Sequence, residues 1–185
     1  HQRTFVVEVM GRHCGYLPLM AAVAGGADYV FTPEDPAGPG WQDDLAEHLR
    51  LGREAGRRES IVLVAEGAHD RDGNELSTQL IADTIQERTG EDARVTILGH
   101  VQRGGTPSAY DRWMSTLLGY AAVQEILASS ADDEPVILGV RRNRITRIPL
   151  MKAVHDTRAV KDLIAAGDYA AAQASRGSSF SSMVG

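Results

Sequence analysis

The chain has 185 residues, of which 43% are hydrophobic and 24% charged, and its formal net charge is −6. This negative charge argues against a nucleic-acid partner, which would require a basic face. No apolar run approaches the roughly 20 residues of a transmembrane helix, so no membrane partner is expected. The single cysteine, Cys14, excludes a disulfide framework within the chain and favours a cytoplasmic location.

The first hundred residues alternate between patterns typical of strands and of helices. The clearest strand is the nearly continuous apolar run Ser60–Ala65, which is typical of a parallel strand covered on both faces. The clearest helix begins at Trp41, because apolar residues recur at helical spacing at Leu45 and Leu49. The predicted elements are strand 4–10, helix 16–24, strand 29–32, helix 41–58, strand 60–65, helix 77–89 and strand 94–98.

The remainder of the chain is predicted to be mainly helical. Ser108 and Asp111 fit a capping box that begins a long helix ending near Ala128. Two short strands at 136–140 and 144–148, helical pieces over 150–173 and a tail over 175–185, predicted to fray, complete the chain. The alternation of strands and helices predicts an α/β fold with a mainly parallel sheet flanked by helices.

Polar and glycine residues follow three of the predicted strands at their carboxyl ends, where open α/β sheets bind their ligands. Arginine pairs with phosphate oxygens, glycine lets backbone amides approach an anion, and glutamate accepts hydrogen bonds from sugar hydroxyls. The pattern predicts a site for a phosphorylated, hydroxylated small molecule. The alternative is that these glycines only form turns and these arginines only face solvent. The residues concerned are Gly11, Arg12, His13, Glu66, Gly67, His69, Gly99, His100, Gln102 and Arg103.

Several motifs that would indicate other chemistry are missing. The sequence has neither a dinucleotide-binding glycine pattern nor a P-loop, and it has no nucleophile elbow. The histidines lack metal-binding spacing, so no metal site is expected within the chain. Cys14 beside His13 is interpreted as a small buried residue rather than an activated thiol, because neighbours in sequence point in different directions on a regular element.

Two stretches resemble the 6-phosphofructokinases. One is His1-Gln2-Arg3 with Val7–Arg12 and Cys14-Gly15; the other is Leu98–Pro107 (LGHVQRGGTP) with Tyr110-Asp111-Arg112, which is close to a signature of that family. Between them, segments 24–28 and 64–67 fall at the expected places. The resemblance covers residues 1 to about 125 well and the rest loosely. It implies the C-terminal half of such an enzyme, hence a partial chain of a two-domain phosphofructokinase-type fold.

The resemblance also implies roles for individual residues. Arg3 and Arg94 would reach across a subunit boundary to the 6-phosphate of fructose 6-phosphate bound by a neighbouring identical subunit. Arg12 would also lie near the transferring phosphoryl group and is the catalytic residue expected in this chain. The residues expected to bind the sugar phosphate within one subunit are Met10, Gly11, Arg12, Glu66, His100, Val101, Gln102 and Arg103.

The same resemblance divides the chain into three parts. Residues 1–102 would form the sugar-phosphate-binding α/β domain, and 103–150 a crossover helix and strands of the donor-side domain. Residues 151–185 would contribute C-terminal helices and the fraying tail. The family's phosphate loop and the Thr-Ile-Asp-Asn-Asp stretch that holds its catalytic base are absent and are expected upstream of His1. Mg2+ with ATP or pyrophosphate would therefore be bound mainly by that missing part.

The implied function is phosphorylation of fructose 6-phosphate to fructose 1,6-bisphosphate in glycolysis, with ATP the expected donor and the fragment alone inactive. A pyrophosphate-dependent enzyme is one alternative. The long turn at 67–74 and the ending at 171–177 resemble a pyrophosphate-related, actinobacterial-like lineage whose members use either donor. The other alternative is a non-catalytic sugar-phosphate-binding regulatory module.

Overall fold

The computed structural model of the protein describes residues 3–184. His1 and Gln2, which are part of the resemblance, and Gly185, the end of the tail, lie outside the described residues. The described part of the chain divides into two compact units, residues 3–103 with 163–184, and Gly104–Asp162. The elements are β1 (Arg3–Val9), α1 (Tyr16–Gly25), β2 (Tyr29–Phe31), α2 (Trp41–Glu54), β3 (Glu59–Ala65), α3 (Thr78–Thr89), β4 (Asp92–Ile97), a 3-10 helix (Gly99–Arg103), α4 (Ala109–Ala128), β5 (Val136–Arg141), β6 (Arg144–Pro149), α5 (Leu150–Ala165), α6 (Tyr169–Ser175) and α7 (Ser178–Val184).

A parallel sheet of four strands forms the centre of the first unit, in the order β2-β3-β1-β4. Val6 of β1 lies in register with Val62 of β3 and Val95 of β4. All four strands run in the same direction, so the ends of β3, β1 and β4 lie side by side at one edge. The predicted mainly parallel sheet flanked by helices is confirmed.

Alternation along the strands directs apolar side chains to both faces of this sheet. On one face Val6 and Val62 pack with Leu45 of α2 and Ile81 of α3, all fully buried. On the other face Leu63 and its neighbours pack with α1. Burial of each such leucine or isoleucine contributes about 1.5–3 kcal/mol, so helices on both faces hold the strand ends in place.

Glycines end the helices near the predicted positions. α1 ends as predicted, with Gly26 in the left-handed conformation at φ 67° and its amide bonded to the Ala22 carbonyl. α2 ends at Glu54 rather than at residue 58, because the chain turns at Gly56, whose φ is 92°. The apolar spacing locates this helix correctly but carries no information about its last turn.

The second unit contains α4 and an antiparallel hairpin of β5 and β6. The predicted capping box is confirmed, because the Ser108 hydroxyl accepts from the Asp111 amide and the Asp111 carboxylate accepts from the Ser108 amide. Met114 is the buried residue of α4, whereas Trp113 is 51% and Leu127 76% exposed.

Within residues 3–184, no helix combines the length and apolar character needed to cross a bilayer.

The tail that was predicted to fray is instead helical. α6 and α7 pack together, and α7 contacts α1. The phenyl ring of Phe180 is fully buried, as is Ala172. The prediction was wrong because a serine- and glycine-rich composition predicts local disorder, whereas one buried aromatic side chain anchors the segment to the first unit.

Candidate functional site

The loop after β1 makes a tight turn that depends on Gly11. The Cys14 amide donates to the Gly11 carbonyl at 3.0 Å. A Cβ at position 11 would lie 2.4 Å from the Cys14 carbonyl oxygen, so a larger residue would open the turn. Arg12 follows with φ 53°, the left-handed conformation that residues other than glycine seldom adopt. Its side chain is exposed at the edge of the sheet.

Glu66, at the end of β3, binds this turn through its backbone amides. Its Oε2 accepts from the Gly11 amide at 3.2 Å and from the Arg12 amide at 3.0 Å. Its own amide donates to the Val9 carbonyl at 2.9 Å. The Arg12 and Gly11 amides lower the pKa of the Glu66 carboxyl below its ordinary value, so it is ionised at neutral pH.

Gly67 permits the two loops to approach each other. Its φ is 81°, and a Cβ there would lie 2.7 Å from the Arg12 carbonyl oxygen and 3.2 Å from Nδ1 of His13. Sequence analysis placed Gly67 among the strand-end residues and at the start of a turn. Its signal was its place directly after Glu66 at a strand end, where close backbone approach requires glycine.

The segment after β4 is joined to the same turn by Gln102. Its Oε1 accepts from the Met10 amide at 2.8 Å. The segment was predicted as an open loop but forms a 3-10 helix, Gly99–Arg103, whose residues after Gly99 are exposed. The structure therefore brings Met10, Gly11, Arg12, Glu66 and Gln102 into direct contact, with His100, Val101 and Arg103 exposed on the same 3-10 helix.

Arg3 and Arg94 lie apart from this cluster. The register pairs Arg3 with Asp92 and Phe5 with Arg94, so both arginines are on one face, in the first half of the strands. Six residues of extended chain, about 20 Å, separate Arg3 from Val9. The Arg94 side chain is 55% exposed, with Nε 3.4 Å from the Asp92 carboxylate. The two arginines do not join the strand-end cluster of their own chain, and their contribution to a neighbour's site stays a prediction.

Two residues that sequence analysis did not single out bind the far end of the loop. Glu34, which follows β2, accepts from the Gly15 amide, and Arg176, which follows α6, donates to Glu34 and to the His13 carbonyl. Glu34 lies beyond a strand end and could have been suspected. Arg176 is 142 residues away and carries no local signal.

The donor set of this edge suits an anion rather than a metal ion. Within residues 3–184, no three or more His, Cys, Asp and Glu side chains are arranged to hold a metal. The described residues therefore supply no such cluster for Mg2+, which the resemblance places mainly outside this chain. The exposed guanidinium groups of Arg12 and Arg103 and the exposed imidazole of His100 instead suit a ligand with a phosphate group.

The parallel sheet and its strand-end loops place the chain among the open-sheet α/β proteins, a class that binds small molecules at this edge. Comparisons with known proteins give the family. The family model described as "Phosphofructokinase" matches residues 1–126. The chain belongs to the phosphofructokinase family.

Relatives of known name share much of the sequence. The chain is 48% identical over 181 residues to the ATP-dependent 6-phosphofructokinase of Aspergillus fumigatus, an alignment that covers 97% of this chain and 22% of that protein. It is 46% identical over 180 residues to the human liver-type ATP-dependent 6-phosphofructokinase, covering 97% of this chain and 23% of that protein. The chain thus spans about a fifth of the length of the curated relatives it matches.

Solved structures show the same fold. Pichia pastoris phosphofructokinase in the T-state matches with TM-score 0.92 and 43% identity, over 99% of this chain and 20% of that chain. Saccharomyces cerevisiae phosphofructokinase matches with TM-score 0.93 and 44% identity, over 100% of this chain and 25% of that chain. The pyrophosphate-dependent phosphofructokinase of Nitrosospira multiformis, at 20% identity, TM-score 0.68 and coverage of 82% of this chain and 40% of that one, shares the fold alone.

Proposed function

We propose that this chain is the sugar-phosphate-binding part of a longer, ATP-dependent 6-phosphofructokinase. That enzyme transfers a phosphoryl group from ATP to the 1-hydroxyl of fructose 6-phosphate, forming fructose 1,6-bisphosphate in cytoplasmic glycolysis. The observation that carries the proposal is the joining of three strand-end segments around Arg12 by Glu66 and Gln102. The names of relatives 46–48% identical to this chain support the same activity.

The sugar is proposed to lie against the turn after β1. Met10 and Gly11 would line it, and Glu66 would accept a hydrogen bond from a sugar hydroxyl. Oε2 of Glu66 is bound to the Gly11 and Arg12 amides, whereas among residues 3–184 no donor is bonded to Oε1. One carboxylate oxygen can therefore fix the loop while the other binds substrate.

The 6-phosphate is proposed to bind cationic side chains from two subunits. His100 and Arg103 of one subunit would approach it together with Val101 and Gln102, while Arg3 and Arg94 would come from the neighbouring subunit. This assignment is supported by the place of Arg3 and Arg94 in the first half of their strands, with the Arg94 side chain beside Asp92 rather than at the strand-end turn. Guanidinium groups suit this task because each can present two parallel donors to phosphate oxygens.

Arg12 is proposed to stabilise charge on the transferring phosphoryl group. Phosphoryl transfer is accelerated mostly by positioning and by charge stabilisation, so a guanidinium at a fixed place is the contribution this chain can make. The residues supporting this role are those that fix the Arg12 backbone, namely Glu66 and Gly67. The proton acceptor for the 1-hydroxyl is assigned to a segment outside this chain, as is any Mg2+.

The donor is proposed to be ATP. The relatives that share nearly half of the sequence are named ATP-dependent, whereas the likeness to pyrophosphate-dependent enzymes extends to the fold alone. The actinobacterial-like lineage stays a prediction.

The unit Gly104–Asp162 is proposed to contribute to the donor-side domain. The exposed apolar side chains of α4, among them Trp113 and Leu127, support a further protein partner for that helix. The sequence placed these boundaries at 103 and 150, and the structural unit extends twelve residues further.

The donor assignment is tested by assaying the complete protein with fructose 6-phosphate and either ATP or pyrophosphate, with aldolase-coupled detection of fructose 1,6-bisphosphate. We expect product with ATP and none with pyrophosphate, and no turnover by the 185-residue chain alone because it lacks the base. Product formed only with pyrophosphate would overturn the donor assignment, and product formed by the isolated chain would overturn the assignment of the base.

A further inference from the structure

The carboxylate of Glu34 is fully buried and has two kinds of partner. The Gly15 amide donates to its Oε1 at 3.1 Å and to its Oε2 at 2.9 Å. Nε of Arg176 donates to Oε1 at 2.7 Å. The Glu34 side chain is 0% exposed and that of Arg176 is 18% exposed. Because an unpaired buried charge is costly, Arg176 stabilises the ionised Glu34 carboxylate.

Arg176 also contacts the strand-end loop directly. Its Nη2 donates to the His13 carbonyl at 3.0 Å, in addition to the contact with Glu34. The loop is thereby bound at its far end by a residue of the C-terminal segment, and at its near end by Glu66. Arg12 lies between these two attachments.

The loop has no room to shift toward Glu34. A Cβ at Gly15 would lie 2.5 Å from Cβ of Thr32 and 2.7 Å from Oε2 of Glu34. Arg12 itself has φ 53°, a conformation that a residue with a side chain keeps only where its surroundings impose it. The contacts of His13 and Gly15 act on it from the C-terminal side, together with the bond from the Cys14 amide to the Gly11 carbonyl.

We propose that Arg176 is a positioning residue for Arg12. Through Glu34 and the His13 carbonyl, Arg176 holds the loop so that the Arg12 guanidinium stays at the transferring phosphoryl group. This inference rests on the proposed function, in which Arg12 acts on that group. It makes the C-terminal helical segment part of the active-site architecture, although it lies 142 residues from its buried partner in sequence.

The test compares variants of the complete enzyme by steady-state kinetics. The double variant Arg176→Met with Glu34→Gln removes both charges together, so that no unpaired charge is buried, and it retains an acceptor for the Gly15 amide. We expect its kcat to fall about 10–100-fold, with KM for fructose 6-phosphate within about twofold, because misplacement of a catalytic group affects the chemical step. Arg176→Lys keeps the positive charge but loses the planar guanidinium that contacts Glu34 and the His13 carbonyl together. Its kcat should lie between those of the wild type and the double variant. An unchanged kcat in the double variant would overturn the inference.

Hydrogen exchange of the loop supplies a readout independent of activity. In the double variant, amides in the peptide covering residues 10–16 should exchange at least about tenfold faster, while those of β3 remain unchanged. Equal acceleration in both, or none in the loop, would overturn the inference. Arg88→Ala, which removes an exposed pair with Asp43 in the same unit, is the matched control and should change neither readout. If the wild-type enzyme does not phosphorylate fructose 6-phosphate, the proposed function fails. The exchange experiment still tests whether Arg176 and Glu34 hold the loop in place.

Discussion

Arg12 shows how backbone geometry prepares a side chain for chemistry. Its left-handed conformation costs about 1–3 kcal/mol for a residue other than glycine. The Glu66 carboxylate and the close approach of Gly67 stabilise that conformation. The backbone of Arg12 is therefore held in place, and its exposed side chain begins from a fixed point at the edge of the sheet, where a phosphoryl group is proposed to bind.

Arg12 and Arg94 should differ in which kinetic constant they control. In the complete enzyme, Arg12→Ala should lower kcat by about 100-fold or more, because it removes charge stabilisation of the transition state. Arg94→Ala should raise KM for fructose 6-phosphate about tenfold or more, because it removes a charged hydrogen bond to the phosphate. Steady-state kinetics with varied fructose 6-phosphate measure both constants. A KM unchanged by Arg94→Ala, or an effect of Arg12→Ala confined to KM, would contradict these roles.

For single residues, the sequence predicts which ones lie at the strand ends better than it predicts their contacts. Arg12, Glu66 and Gln102 could be chosen because they follow strands and match a family pattern. Their binding to backbone amides could not be predicted, since it depends on the register of three strands. Arg176 could not be chosen at all, because an arginine in a serine-rich tail has no feature that distinguishes it from a surface residue.

At the scale of helices and strands, the ion pair of Arg53 and Glu91 connects α2 to the start of β1 and to the turn before β4. Nη2 and Nε of Arg53 contact the two carboxylate oxygens of Glu91 at 2.7 and 2.8 Å. Nη2 of Arg53 also donates to the Arg3 carbonyl at 3.2 Å. The two side chains are 9% and 12% exposed. The pair thus fixes the backbone of Arg3, which is proposed to reach a neighbouring subunit.

Breaking this pair should destabilise the first unit. Arg53→Ala leaves the Glu91 carboxylate buried without its partner and should lower the free energy of unfolding by about 3–5 kcal/mol. The control Arg88→Ala, which removes an exposed pair, should cost less than about 1 kcal/mol. Urea unfolding of the 185-residue chain, followed by circular dichroism, measures the free energy of unfolding of both variants. Equal losses in the two variants would contradict a stabilising role for the buried pair.

The same pair should make stability depend on pH. Arg53 lowers the pKa of Glu91 below its ordinary value of 4.5 in the folded chain. Its stabilising contribution is therefore complete above the unfolded pKa and is lost as pH falls through the folded pKa. The difference in unfolding free energy between wild type and Arg53→Ala should shrink as pH is lowered from 7 to about 3. A constant difference would show that the charge of Glu91 is not involved.

The sequence predicts the positions of helices and strands well where apolar residues are regularly spaced. It predicts them less well where a contact with a distant part of the chain stabilises the element. The Ser108 capping box and the apolar run of β3 locate their elements to within a residue or two. The 3-10 helix after β4 was not predicted because Gly99 begins it and Gly104 and Gly105 follow it, and such a density of glycine favours a loop. α7 escaped prediction because its stability comes from the burial of Phe180.

For the whole molecule, the decisive feature is the separation of two arginine sets on one sheet. Arg12 lies at the carboxyl edge of the strands, and Arg3 and Arg94 lie toward their amino ends. Six residues of strand, about 20 Å, separate Arg3 from Val9, and three residues, about 10 Å, separate Arg94 from the end of β4 at Ile97. A site shared between subunits is what the family resemblance implies. The family is confirmed, whereas the sharing still requires a test.

Subunit complementation tests the shared site most directly. Subunits carrying Arg12→Ala are mixed by co-refolding with subunits carrying Arg94→Ala, and phosphorylation of fructose 6-phosphate is measured at a concentration near the wild-type KM. In a mixed pair, one site combines an intact Arg12 with an intact Arg94 from its neighbour, so random pairing should restore about a quarter of wild-type activity. Activity no greater than the average of the two separate variants would contradict the account.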